Sequence, residues 1–106
     1  MIAINSKLGF HGLPVRDYSA DGALSVEPQI AVLDGSSATC QTTIAAPGQE
    51  MIGKVLVIYA SDVSNACDVD YTTHTGAATT TFSNVNNPLV LMGLTATVWT
   101  VFKAPA

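Results

Sequence analysis

Asp68 and Asp70 are two residues apart, so on a strand both carboxylates point to the same side. With Asp62 or His74 nearby they could offer ligands to Ca²⁺ or another hard cation. Such an ion takes about six to eight oxygens. Few are within reach of this stretch, so a solvated strand face running into a turn is the plainer reading, and no metal is expected. The run Gly48-Gln49-Glu50-Met51-Ile52-Gly53-Lys54-Val55 comes close to the phosphate-binding pattern GxxxxGK[ST]. Val55 stands where a hydroxyl should hold Mg²⁺, and a β-branched strand follows where the pattern opens a helix. The glycines therefore read as turn residues, and no cofactor is expected.

Cys40 and Cys67 fall in separate strands that could be neighbours. A nucleophilic cysteine needs an activating histidine and a positive setting. This acidic chain advertises neither, and His11 and His74 have no cysteine or acidic residue at ligand spacing. Both thiols read as small, buried, inert groups. The two glutamates and six aspartates sit mostly in turns and give no paired acid and base for glycoside cleavage. Trp99, Tyr59, Phe82 and Phe102 lie on strands and are expected to fill the core or an interface. The chemistry-bearing residues thus point away from an enzyme.

The elements that must position these residues are strands. No stretch of ten or more residues repeats apolar positions at helical spacing. Val, Ile and Thr are frequent instead, and Gly, Pro, Asn and Ser punctuate the chain every eight to twelve residues. Residues 1–22 read as an extended N-terminal arm and residues 23–106 as one domain. Short extended segments are expected over 23–26, 29–33 and 39–45, with a turn at Asp34-Gly35-Ser36-Ser37. The clearest strand, 52–60, is near-continuously apolar and is expected to be buried on both faces. Hairpins follow over 66–82 and 88–103. Seven or eight short strands make the expected fold all-β, a single antiparallel β-sandwich or small β-barrel. No internal repeat of fixed period is visible.

Composition bounds the function. The chain has 106 residues, and only 11% of them are charged against about 25% in soluble domains. A monomer of this mass exposes about 5,600 Å², leaving roughly one charge per 470 Å². Much of that surface is therefore expected to be covered by partners. Net charge is −4, and Lys7, Arg16, Lys54 and Lys103 are scattered, which excludes a phosphate-neutralising stripe and hence nucleic acid. The longest apolar stretches are too short to span a bilayer as a helix, so no membrane partner is expected. The start shows no signal peptide, and synthesis and assembly in a host cytoplasm are expected.

The segment from Ala38 to Lys103 carries three elements in a distinctive order. A Pro/Gly turn leads through Gly53-Lys54 into a long apolar strand over 47–59. A Thr- and Gly-rich hairpin closed by a phenylalanine follows over 68–82, and a last hairpin over 88–102 carries ATVWTVF. In this order the segment resembles tailed-phage virion structural proteins; the resemblance covers about two-thirds of the chain and implies a virion location. Small size favours a capsid decoration (cement) protein that binds the assembled head and stabilises it by bridging subunits. The implied partners are the major capsid protein and further copies of the chain, as a trimer or dimer. The alternative is a head-fibre or tail-associated module that binds a receptor or carbohydrate. Ile2, Ile4, Leu8, Phe10 and Leu13, apolar anchors spaced by glycines, are the expected interface residues, docking on a neighbouring subunit.

Overall fold

The computed structural model describes residues 12–105. Nine strands form along them: β1 (Val15–Tyr18), β2 (Gly22–Ala23), β3 (Ile30–Asp34), β4 (Cys40–Thr43), β5 (Val55–Asp62), β6 (Cys67–Thr73), β7 (Gly76–Thr81), β8 (Leu89–Gly93) and β9 (Trp99–Lys103). A single 3-10 turn, Gln49–Met51, leads into β5. The strands divide into a five-stranded sheet ordered β1-β3-β5-β8-β9 and a four-stranded sheet ordered β2-β4-β6-β7. All-β is therefore right, and both sheets are mixed.

The antiparallel expectation is corrected here. Four of the seven strand pairings among the described residues are parallel: β1 with β3, β3 with β5, β2 with β4, and β4 with β6. Through β6 the chain passes alternately from one sheet to the other, so β1–β2, β3–β4 and β5–β6 are three successive windings. Parallel neighbours require a crossover of a dozen or more residues, and here the other sheet supplies it. The count, nine strands rather than seven or eight, differs for a related reason. Val15–Tyr18 belongs to the sheet as its edge strand, paired in register with β3. After β6 the chain reverses: β7 pairs antiparallel with β6, β8 with β5, and β9 with β8.

The turns that join the two strands of a winding share one chemistry. In Asp34-Gly35-Ser36 the Ser36 N–H donates to Asp34 Oδ1 at 2.9 Å, and in Asp62-Val63-Ser64 the Ser64 N–H donates to Asp62 Oδ1 at 2.8 Å. These are Asx turns. They open two related stretches, Asp34-Gly35-Ser36-Ser37-Ala38-Thr39-Cys40 and Asp62-Val63-Ser64-Asn65-Ala66-Cys67. The pairing stacks one on the other: Asp34 lies beside Asp62 and Cys40 beside Cys67. Ile30 and Val57 are 27 residues apart, whereas Val15 and Ile30 are 15 apart. A repeat therefore exists, but its period is not fixed.

One core cluster draws on both sheets. Leu33, Leu56, Ile58, Leu89, Leu91 and Trp99 come from the five-stranded sheet, and Cys40, Cys67, Val69 and Tyr71 from the four-stranded one. Trp99 is fully buried, and its Nε1–H donates to Ala45 O at 2.9 Å. Burial on β5 alternates, so the expectation of two buried faces is also corrected: Leu56, Ile58 and Ala60 are buried while Val55, Val57 and Tyr59 are half-buried. The strand reads as continuously apolar because its outward side is apolar too.

Candidate functional site

The two sheets turn unlike faces outward. On the five-stranded sheet, pairing aligns Val15, Ile30, Val57, Val90 and Lys103 in one row and Asp17, Val32 and Tyr59 in the next. Ala31, Leu33 and Ile58, between them in sequence, are wholly buried on the core side. The outward rows are thus apolar, with Asp17 at the β1 edge and Lys103 at the β9 edge. Phe102 joins them through a bulge: Val90 pairs with Lys103 and Leu91 with Val101, leaving Phe102 the extra residue. It is 67% exposed, and Val15 at the opposite edge is 61% exposed. An open hollow of about 360 Å³ is lined by Ile30, Val57, Pro88, Val90, Phe102 and Lys103. It continues past Tyr59 and Asn86.

The four-stranded sheet shows the contrary. Gln41 and Thr43 on β4 lie beside Asp68 and Asp70 on β6, which pair with Thr81 and Thr79 on β7. Gln41 Nε2 donates to Asp68 Oδ2 at 3.4 Å, and Thr79 Oγ1 donates to Asp70 Oδ1 at 2.6 Å. Asp21 Oδ1 accepts from the Gln41 N–H and from Thr39 Oγ1, both at 2.9 Å.

Of the cation candidates, Asp68 and Asp70 do share a face, but Asp62 and His74 lie beyond opposite ends of β6. Among the described residues no group of three or more His, Cys, Asp or Glu side chains could hold a metal ion. Burial, and then the charge of Asp70, push the Asp68 carboxyl up from its ordinary 3.8. Hydrogen bonds from the Gln41 N–H and then the Thr39 hydroxyl hold Asp21 down. The signs are opposite. The raised Asp68 favours folding below its unfolded value and loses that contribution as pH rises through its folded one, while the lowered Asp21 contributes above it. Asp68→Asn should therefore raise the urea midpoint near neutral pH, with the gain shrinking as pH falls toward 3.8 and largely gone below it. Urea titrations at the two pH values check it.

The phosphate-loop look-alike uses its amides internally. The Gly48 N–H donates to Ala96 O, Met51 to Gly48 O, Gly53 to Gly93 O and Lys54 to Met51 O. The cysteines are free, fully buried and direct register partners. The Cys40 thiol donates to Tyr18 O at 3.2 Å, and the Cys67 thiol to Asp62 O at 3.4 Å. Burial pushes both thiols up, Cys67 to about 11, where the charge of Cys40 adds to it. Neither thiolate forms at neutral pH, so native protein should leave Ellman's reagent unreacted while unfolded protein releases two equivalents.

Of the expected interface residues, Ile2, Ile4, Leu8 and Phe10 lie outside the described residues, as does His11. Leu13 is half-buried just before β1. Phe82 and Trp99 are in the core, while Tyr59 and Phe102 face outward on the apolar side. The residues that sequence reasoning missed are the apolar rows themselves. Their signal was present in β5, where Val55, Val57 and Tyr59 alternate with Leu56, Ile58 and Ala60 and neither set is polar. No family model matches the chain, and no curated protein matches it.

Proposed function

We propose that this chain is a virion structural protein, a decoration (cement) protein that binds an assembled phage head and stabilises it by bridging subunits of the major capsid protein. The observation that carries the reading is the apolar outer face of the five-stranded sheet on a chain so poor in charge. Only twelve of its 106 residues are charged, and a face of this kind marks an interaction surface. The mechanism is linkage: copies that bind only the assembled lattice shift the equilibrium toward it. Ile2, Ile4, Leu8, Phe10 and Leu13 are the further residues we place against a neighbouring subunit.

Co-sedimentation with heads lacking the protein tests this. Wild type should pellet with heads, and Val57→Asp should pellet at least about tenfold more weakly, because a charge on this face would be desolvated wherever the assembled particle covers it. Wild-type protein left in the supernatant would overturn the reading. Tyr59 and Phe102 beside the hollow favour one alternative, a head-fibre or tail-associated carbohydrate-binding module with the two rings as a stacking surface. That reading requires saturable glycan binding by the isolated chain.

A further inference from the structure

We infer that the apolar outer face of the five-stranded sheet is seated on the same face of a second copy of the chain, in a two-fold dimer whose axis runs along the strands. The inference rests on reading this face as an assembly surface, and it names the partner. A two-fold contact must be self-complementary, and the arrangement of residues across this sheet meets that condition in only one of the two simplest orientations. Strand order places β1 at one edge, β9 at the other and β5 in the middle. An axis parallel to β5 puts each β1 over the partner's β9. That brings Phe102 over Val15, the two most exposed large apolar side chains among the described residues. It also brings Lys103, in the Val15 row, within a side chain's reach of Asp17, one row along. The perpendicular in-plane axis would set β1 on β1 and β9 on β9, so Asp17 could not reach Lys103 and Val15 could not meet Phe102. Charge and shape therefore select the first.

One row spans all five strands, and the rows on either side, Asp17-Val32-Tyr59 and Val55-Met92-Thr100, span three strands each. At strand spacing these rows give a footprint of about 360 Å² per copy. The pair then buries about 700 Å², the size of a weak, concentration-dependent contact. Two sheets packed face to face with their strands aligned are a common geometry in protein interiors. Such a dimer leaves both four-stranded faces outward, one on each side, as a bridge between two capsid subunits requires.

Sedimentation equilibrium of the full chain over a concentration series tests the dimer without any capsid present. Wild type should fit a monomer–dimer equilibrium, and Val57→Asp should be monomeric with an unchanged circular dichroism spectrum. Asp17→Lys and Lys103→Asp should each weaken the dimer about fivefold. The double variant, with the charges exchanged, should return to within about twofold of wild type. A monomeric wild type, a trimer, or a double variant no better than the singles would overturn the inference. Head binding is read separately by co-sedimentation, so a monomer that pellets with heads refutes the dimer alone, and a dimer that does not pellet refutes the cement reading alone.

Discussion

Trp99→Ala will lower the unfolding free energy by about 3–5 kcal/mol, a large part of the whole for a domain of this size. Three features at one position produce the effect. The side chain is fully buried and is the largest in the core. It lies on the last strand of the five-stranded sheet, opposite Gly93, and packs with residues of both sheets. Its Nε1–H donates to Ala45 O, in the segment leaving β4, so the ring ties the end of one sheet to the exit from the other. Truncation would open a cavity and leave a carbonyl without its donor. Trp99→Phe separates the two terms: it keeps most of the volume and loses the hydrogen bond, and should cost about 1–2 kcal/mol. Since Trp99 is the only tryptophan, the urea titrations must be followed by far-ultraviolet circular dichroism. Equal losses in the two variants would show that the bond to Ala45, rather than the packing, dominates.

How far the fold was legible follows from which signals are local. The turn at Asp34–Ser37 could be read because an aspartate accepting from the N–H two residues on needs no distant partner, and the turn at Asp62–Asn65 has the same chemistry. The β6–β7 and β8–β9 hairpins were legible for the same reason. Strand direction was not. An Asx turn ends a strand in the same way whether the next strand pairs with it or crosses to another sheet, so the windings read as a meander. The repeated Asp-x-Ser-x-Ala pattern before each cysteine was the available clue. A one-residue difference before Cys40 and Cys67, absorbed by the irregularity between Leu33 and Asp34, obscured it. The candidate face was hidden differently. Val57 and Tyr59 gave the same apolar signal as Leu56 and Ile58, and hydropathy does not say which set faces the core. Phe102 needed the bulge at Val90 to turn outward, and no residue in Ala96–Lys103 announces a bulge.

Gly35→Ala is expected to cost about 3 kcal/mol or more, although a surface-loop glycine ordinarily tolerates a methyl group at a fraction of that. The reason is the stacking of the windings. Gly35 is buried, its N–H donates to Asp62 O at 2.8 Å, and its carbonyl accepts from both the Asn65 N–H and Asn65 Nδ2. A β-carbon there would lie 2.4 Å from Asn65 O and 2.9 Å from both Asp62 O and Cys67 Sγ. Two of those atoms are backbone, so relief requires the turn of the third winding to lift away. That motion would weaken the three hydrogen bonds and disturb Cys67, whose thiol donates to the Asp62 carbonyl. Val63 follows Asp62 as Gly35 follows Asp34, and it carries a full side chain because no fourth winding is stacked on it. Gly53→Ala provides the comparison. Its φ of 78° disfavours a β-carbon, but open space surrounds it, so only the backbone strain of about 1–2 kcal/mol should be lost. Urea midpoints of the two variants decide the matter. A Gly35→Ala loss no larger than that of Gly53→Ala would mean that the turns do not stack as closely as the register requires. A larger loss, accompanied by a Cys67 thiol newly reactive toward Ellman's reagent, would place the disturbance at the contact between the second and third windings.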